Sequence, residues 1–212
     1  MRALRLVAFL GACSTSVLVL SSASAQLNDK PRRLHLGVGV DAMDHLGDQC
    51  EQAFDVVCSP GTIFYPFTAA ASFRILPWLS VGARFAVASK NTGNAALPPR
   101  HVSIWQLSLE ARGYPFGHGR VAPFLGVALG YGSLLQTSAG PPERTKRDSS
   151  LFGGTAGLDF ALHEWVLVST EVRLVRMNLE ASEPEQQNGR STYYPGKAWL
   201  TFGVQLVALL PV

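Results

Sequence analysis

Between Ile63 and Ser89 the apolar side chains keep to one parity. Ile63, Tyr65, Phe67, Ala69, Ala71, Phe73 and Ile75 alternate with Phe64, Pro66, Thr68, Ala70, Ser72 and Arg74. After Leu76-Pro77-Trp78, Leu79, Val81, Ala83, Phe85 and Val87 alternate with Ser80, Gly82, Arg84, Ala86 and Ala88. A period of two sends successive side chains to opposite faces, so this stretch predicts a hairpin of two β-strands. Each run covers about 11 residues against the usual ~5–6, a length that crosses a bilayer at a tilt.

The pattern recurs along the chain and predicts strands over 33–43, 101–114, 121–135, 151–162, 165–179 and 198–210. In the first, Leu34, Leu36, Val38 and Val40 oppose His35, Gly37, Gly39 and Asp41; in 101–114, Trp105, Leu107 and Leu109 oppose Gln106, Ser108 and Glu110. The connections alternate in length. Long ones carry Cys50 and Cys58, the Gly/Pro/Asn-rich 90–100, Pro141-Pro142, and the polar 180–196; short ones centre on Pro77, Gly117-His118-Gly119 and His163-Glu164. Eight strands with long loops at one end and short turns at the other predict an all-β fold, an eight-stranded antiparallel up-and-down transmembrane β-barrel.

Parity alone does not say which face meets water, since a lipocalin-like barrel would alternate with its apolar face inward. An eight-stranded barrel encloses only enough room for side chains. The polar parity, rich in Gly, Ala and Ser, suits that lumen better than the parity carrying Phe73, Phe85, Trp105, Phe160 and Phe202. Composition agrees: 47% of residues are hydrophobic and 16% charged, against about 25% charged in soluble domains. The lysines, Lys30, Lys90, Lys146 and Lys197, all fall at strand ends or in connections, whereas soluble sheets place Lys on their edges and wet faces.

With the apolar face outward, the lumen receives Arg33, His35, Asp41, Arg74, Arg84, Glu110, Arg112, Asp159, Glu171, Arg173 and Gln205. Buried charges require partners. The expected network joins Arg74, Arg84, Glu110, Arg112, Asp159, Glu171 and Arg173, with Arg84 facing Glu110 across adjacent strands. It fills the lumen and argues against a wide channel. Trp78, Tyr114, Phe116 and Trp165 near the short turns, and Phe64, Tyr65, Tyr193 and Tyr194 near the long loops, predict aromatic girdles at two interfaces.

At the N-terminus, Arg2 and Arg5 precede an apolar stretch from Leu6 to Leu20 and the small-residue motif Ala23-Ser24-Ala25. This is the layout of a cleavable signal peptide over 1–25, leaving 26–212 as a single barrel domain. A lipoprotein signal ending at Cys13 is the rival, with a much shorter apolar core before it. Export places Cys50 and Cys58 in an oxidising compartment, where a disulfide is expected. No later run reaches 18 apolar residues, so membrane helices are not expected. A net charge of +3 without a basic stripe argues against nucleic acid. No zinc-ligand spacing, phosphate loop or Gly-x-Ser-x-Gly is present, so no metal, cofactor or catalytic residue is expected.

These features resemble the small outer-membrane β-barrel family of Gram-negative bacteria, of the type of the OmpA membrane domain and OmpX. The resemblance implies the bacterial outer membrane as location, and outer-membrane lipids and lipopolysaccharide as partners. Arg176, at the outer end of its strand, either snorkels toward lipopolysaccharide phosphates or marks where that strand has already left the membrane. The family usually ends in an aromatic residue, while this chain ends Leu209-Leu210-Pro211-Val212. His101-Val102-Ser103 is similar to part of the motif of outer-membrane lipid A deacylases. The next residue there is Asn, here Ile104, and the nearest carboxylate, Glu110, has the wrong parity to orient His101. The expected function is therefore not enzymatic: a structural role, or binding and adhesion of an external ligand through the long loops. A narrow pore for small solutes is the alternative, and a lipid A-modifying enzyme a more distant one.

Overall fold

The computed structural model describes residues 33–46, 63–92, 100–116, 119–138, 144–177 and 198–211. Eight strands follow in order: β1 (Arg33–Leu46), β2 (Phe67–Leu76), β3 (Leu79–Thr92), β4 (Arg100–Gly113), β5 (Val121–Ser138), β6 (Arg144–His163), β7 (Val166–Met177) and β8 (Ala198–Pro211). Each pairs antiparallel with its neighbours, and β1 pairs with β8 from Arg33–Pro211 to Leu46–Ala198. The sheet closes on itself. Closure leaves no strand edge unpaired at the level of the wall, the condition for a sheet to stand in hydrocarbon. Residues 1–32, Cys50, Cys58, Tyr193 and Tyr194 lie outside the described residues, as does the signal peptide with them.

The apolar parity faces outward. Leu109 is 70% exposed and Leu129 65%, and Val38, Phe85, Leu125, Phe152 and Leu206 also stand open, while Arg84 is 1% exposed. A water-soluble barrel has this distribution reversed. On β5 the outward belt runs from Val121 to Tyr131. At about 3.3 Å per residue and a tilt of ~40°, it is roughly 25 Å tall, the height of a bilayer's hydrocarbon.

Above that belt the wall continues on one side. β5 and β6 stay paired up to Thr137–Arg144, so β6 starts seven residues before the stretch predicted from alternation. Its outward residues there are Ser150, Asp148 and Lys146, and Lys146 bonds Asp148 at 2.9 Å. Wall that stands in water needs no apolar face, so the periodic signal vanishes although the strand does not. Strand β2 differs in the opposite sense, beginning at Phe67 rather than Ile63. Pro66 lacks the N–H that would continue a ladder. The ladder to β1 resumes in the same register at Phe64, which exchanges hydrogen bonds of 2.8 and 2.9 Å with Met43.

The aromatic ends divide. Trp78, Phe116, Trp165 and Tyr65 are exposed at the two ends. Phe64 and Tyr114, expected in the girdles, are 1% and 2% exposed and point into the lumen. Trp105 and Tyr131 form a tilted pair at 5.7 Å on the outer wall.

Candidate functional site

The lumen is stacked in three tiers, each built from the inward parity of several strands. The middle tier carries charge. From β3, the Arg84 guanidinium donates through Nη2 to Asp41 of β1 and through Nη1 to Glu171 of β7. Arg112 Nη2 donates to Glu110 Oε2 and Glu171 Oε2, both at 2.9 Å. Arg173 Nη2 lies 2.8 Å from Glu110 Oε1, and Ser108 Oγ donates to the same oxygen at 3.3 Å. Three guanidinium groups and three carboxylates thus alternate in an unbranched chain of ion pairs, Asp41–Arg84–Glu171–Arg112–Glu110–Arg173. With its amide oxygen turned toward Arg84, Gln205 accepts from that guanidinium as well. Mutual pairing with further hydrogen bonds is what offsets the large cost of removing such charges from water.

Arg84 does not face Glu110. The register sets Arg84 opposite Ser108 and Gly82 opposite Glu110, a step of two residues from the sequence expectation. The β3–β4 connection is too long to fix register through turn geometry, as a tight hairpin does. Glu171 binds Arg84 and Arg112 while Arg173 binds Glu110, so the two are joined through the Arg112–Glu110 pair rather than by a shared partner. Asp41 and Gln205 complete the tier, and both belong to the inward parity.

The lower tier lies toward the short turns. Tyr114 Oη donates to Asp159 Oδ2 at 3.0 Å, and the Arg74 guanidinium sits 4.7 Å over the Tyr114 ring. Phe124 packs on Tyr114 at 5.9 Å and carries Arg112 at 4.8 Å over its face. Arg74 and Asp159, expected in the same network, therefore gather around Tyr114, one step below the chain of ion pairs. Between the two tiers is a cavity of about 20 Å³, lined by His35, Ser72, Ser80, Asp159, Ser169 and others. That holds about one or two waters. Arg33 stands lower still, with Nη1 3.3 Å from the Glu164 carbonyl at the turn rim.

The upper tier is mainly apolar, with Gln106 Nε2 donating to Met43 Sδ at 3.4 Å and Arg147 facing inward beside Leu134. Met43, Phe64, Val102, Ile104, Leu134, Leu151, Met177 and Trp199 are each at most 2% exposed and form one cluster. Phe64 and Trp199 pack at 6.3 Å. Sequence reasoning missed this tier although its signal is present. Toward the loop end the inward parity turns apolar on β4 (Val102, Ile104), β5 (Leu134), β7 (Val175, Met177) and β8 (Trp199).

On the outer wall, His101 Nδ1 lies 2.9 Å from Asn91 Oδ1 of the facing strand. Ser103 stands opposite Ser89 and Leu135. Glu110 is held in the lumen by Arg112 and Arg173, where it cannot orient His101.

No family model matches the sequence, and no curated protein does. Solved structures match by shape. Neisserial surface protein A superposes with a TM-score of 0.60 at 10% identity, over 82% of this chain and 96% of that one. Ail, the attachment invasion locus protein of Yersinia pestis, gives 0.54 at 11% identity, over 84% and 99%. It matches equally in its complex with the heparin analogue sucrose octasulfate. The chain has the fold of the small outer-membrane β-barrels. Nearly the whole length of each neighbour is covered, so the match is to the complete barrel.

Proposed function

We propose that this barrel resides in the bacterial outer membrane, exported by a signal peptide over 1–25, and presents its long loops outward to bind an external ligand. It neither catalyses a reaction nor passes solutes. The observation that carries the reading is sidedness. An apolar belt of bilayer height encircles the barrel, while its charges are paired around the axis. Only a lipid surrounding rewards that arrangement. The paired charges and the packed upper tier leave a cavity far smaller than a solute path, which supports binding over transport. Arg176, exposed and outward opposite Phe152 at the top of the belt, is placed to meet lipopolysaccharide phosphates. The complex of Ail with an anionic sugar analogue gives this fold a precedent for a charged external ligand. In the same reading Cys50 and Cys58 form a disulfide within the first long loop.

The decisive experiment is fractionation followed by gel migration with and without boiling. The protein is expected in the outer-membrane fraction, running faster unboiled, and recovery as a soluble periplasmic protein overturns the reading. Planar-bilayer recording then separates binding from transport, since steady single-channel conductance in the wild type would replace this reading with a pore.

A further inference from the structure

The three tiers of the lumen differ in how they treat water. An ion-paired layer is not in itself a barrier, because carboxylates and guanidinium groups exchange partners readily with water and ions. An apolar constriction is one, since water has nothing to bond there and the space stays dry. The upper tier comes nearest that description: its polar groups, the Gln106 amide donating to Met43 Sδ and Arg147 and Ser149 on the inward face of β6, stand among a larger set of apolar side chains. Trp199 and Met177 are 0% exposed, with Phe64, Met43, Ile104 and Leu134 packed beside them. Below the charged tier the cavity lining mixes hydroxyl, imidazole and carboxylate groups with the apolar side chains of Leu167 and Val207. Among the described residues, Ser80 Oγ is buried there without a hydrogen-bond partner in the protein. A buried hydroxyl facing a polar space of water size is satisfied by water.

We propose that the lumen is a one-sided compartment. Water enters from the short-turn end as far as the Arg84–Glu171 layer, and the apolar plug around Trp199, rather than the ion pairs, closes the barrel to passage. This rests on the reading of a non-conducting outer-membrane barrel and adds which residues close it. It follows that the charged tier can be neutralised without opening a path. Its task is to hold strands β1, β3, β4 and β7 at fixed spacing, while the plug excludes ions.

Two measurements test this on the full protein in lipid. The first is radiolytic hydroxyl-radical footprinting of the wild type, which marks side chains beside water. Tyr114 and His35 should be oxidised despite burial, while Met43, Met177 and Trp199, intrinsically more reactive, should stay unmodified against exposed Trp78 and Trp165 as references. Oxidation of Met43 and Met177 at the rate of Trp78, or an untouched Tyr114, overturns the proposal. The second is planar-bilayer conductance of variants that retain heat-modifiable migration. Arg84→Gln/Glu171→Gln should remain closed. Phe64→Ala/Trp199→Ala should raise ion conductance about tenfold or more over the wild-type baseline, with Met177→Gln as a milder, volume-preserving variant that wets the same tier. A conducting Arg84→Gln/Glu171→Gln barrel, or folded plug variants that all stay closed, overturns it. A conducting wild type instead defeats the underlying non-pore reading, so the two failures are distinguishable.

Discussion

Arg84 and Glu171 bond across the full width of the lumen, from β3 to β7. In a closed ring of eight strands these lie four apart in either direction, so the pair ties opposite walls together. Arg84 also binds Asp41 on β1, and Glu171 also accepts from Arg112 on β4. One guanidinium and one carboxylate thus connect four strands, with both side chains essentially inaccessible.

Removing either partner should be costly, because the other is left as an unpaired buried charge. Arg84→Ala and Glu171→Ala are each expected to lower unfolding free energy by about 3–5 kcal/mol. The double variant Arg84→Met/Glu171→Met keeps the tier neutral and should cost clearly less than the sum of the two. Urea unfolding in vesicles, followed by gel mobility, measures all three. Additivity within about 0.5 kcal/mol would mean that the two groups act independently.

Adjacent glycines on β6 give a test of face assignment at a single step of chain. A Cβ on Gly153 would lie 2.3 Å from the Leu174 carbonyl oxygen and 2.9 Å from Val175 Cα, whereas on Gly154 the nearest atom is at 3.8 Å. Both contacts at Gly153 are backbone and cannot yield without moving β7. Gly153→Ala should therefore lower the yield of folded barrel or cost about 1–3 kcal/mol, while Gly154→Ala stays within about 0.5 kcal/mol. Equal behaviour of the two variants in refolding assays counts against the assigned faces.

What could be read from the chain was set by lipid. Wherever one face meets hydrocarbon, alternation is strict, and 79–89, 101–114 and 198–210 locate β3, β4 and β8 to within a few residues. Where both faces meet water or protein, the signal weakens. Arg144 to Ser150 are strand without apolar alternation, and Phe64 is an aromatic on the inward parity, packed against Trp199 in the upper tier. The lumen charges were legible as inward-facing residues but neither as pairs nor as tiers, since Asp41 joins the charged tier while Arg74 and Asp159 gather at Tyr114. Partner choice depends on register, and a two-residue difference moves Arg84 from Glu110 to Ser108. Long side chains then reach across the axis, beyond anything that adjacency along the sheet reveals.

The outward face predicts a depth-dependent response to charge. Leu109 stands in the middle of the belt, and Leu109→Arg should cost about 2–4 kcal/mol of insertion free energy. Thr137 shares the outward face but sits near the top of β5, beyond the apolar belt, so Thr137→Arg should insert normally. Folding into vesicles, scored by the heat-modifiable band, compares them. A soluble barrel would accept Arg at both positions, so indifference at Leu109 would defeat the membrane orientation.

Tyr114 separates a lumen role from an interfacial one. Its hydroxyl donates to Asp159 at 3.0 Å, and its ring supports Arg74 and Phe124 at 4.7 and 5.9 Å. Tyr114→Phe keeps the ring contacts and removes only the donor to a buried carboxylate, for an expected loss of about 1–3 kcal/mol. Tyr114→Leu also removes the aromatic and cation–π contacts, adding about 1–2 kcal/mol. A tyrosine in an interfacial girdle gives a different signature. Its hydroxyl is already in water, so the Phe variant would stay within about 0.5 kcal/mol of wild type. Urea unfolding of the two variants side by side therefore reads out where the ring is. A stepwise loss through Phe to Leu places it in the lumen, holding the lower tier together beneath the chain of ion pairs.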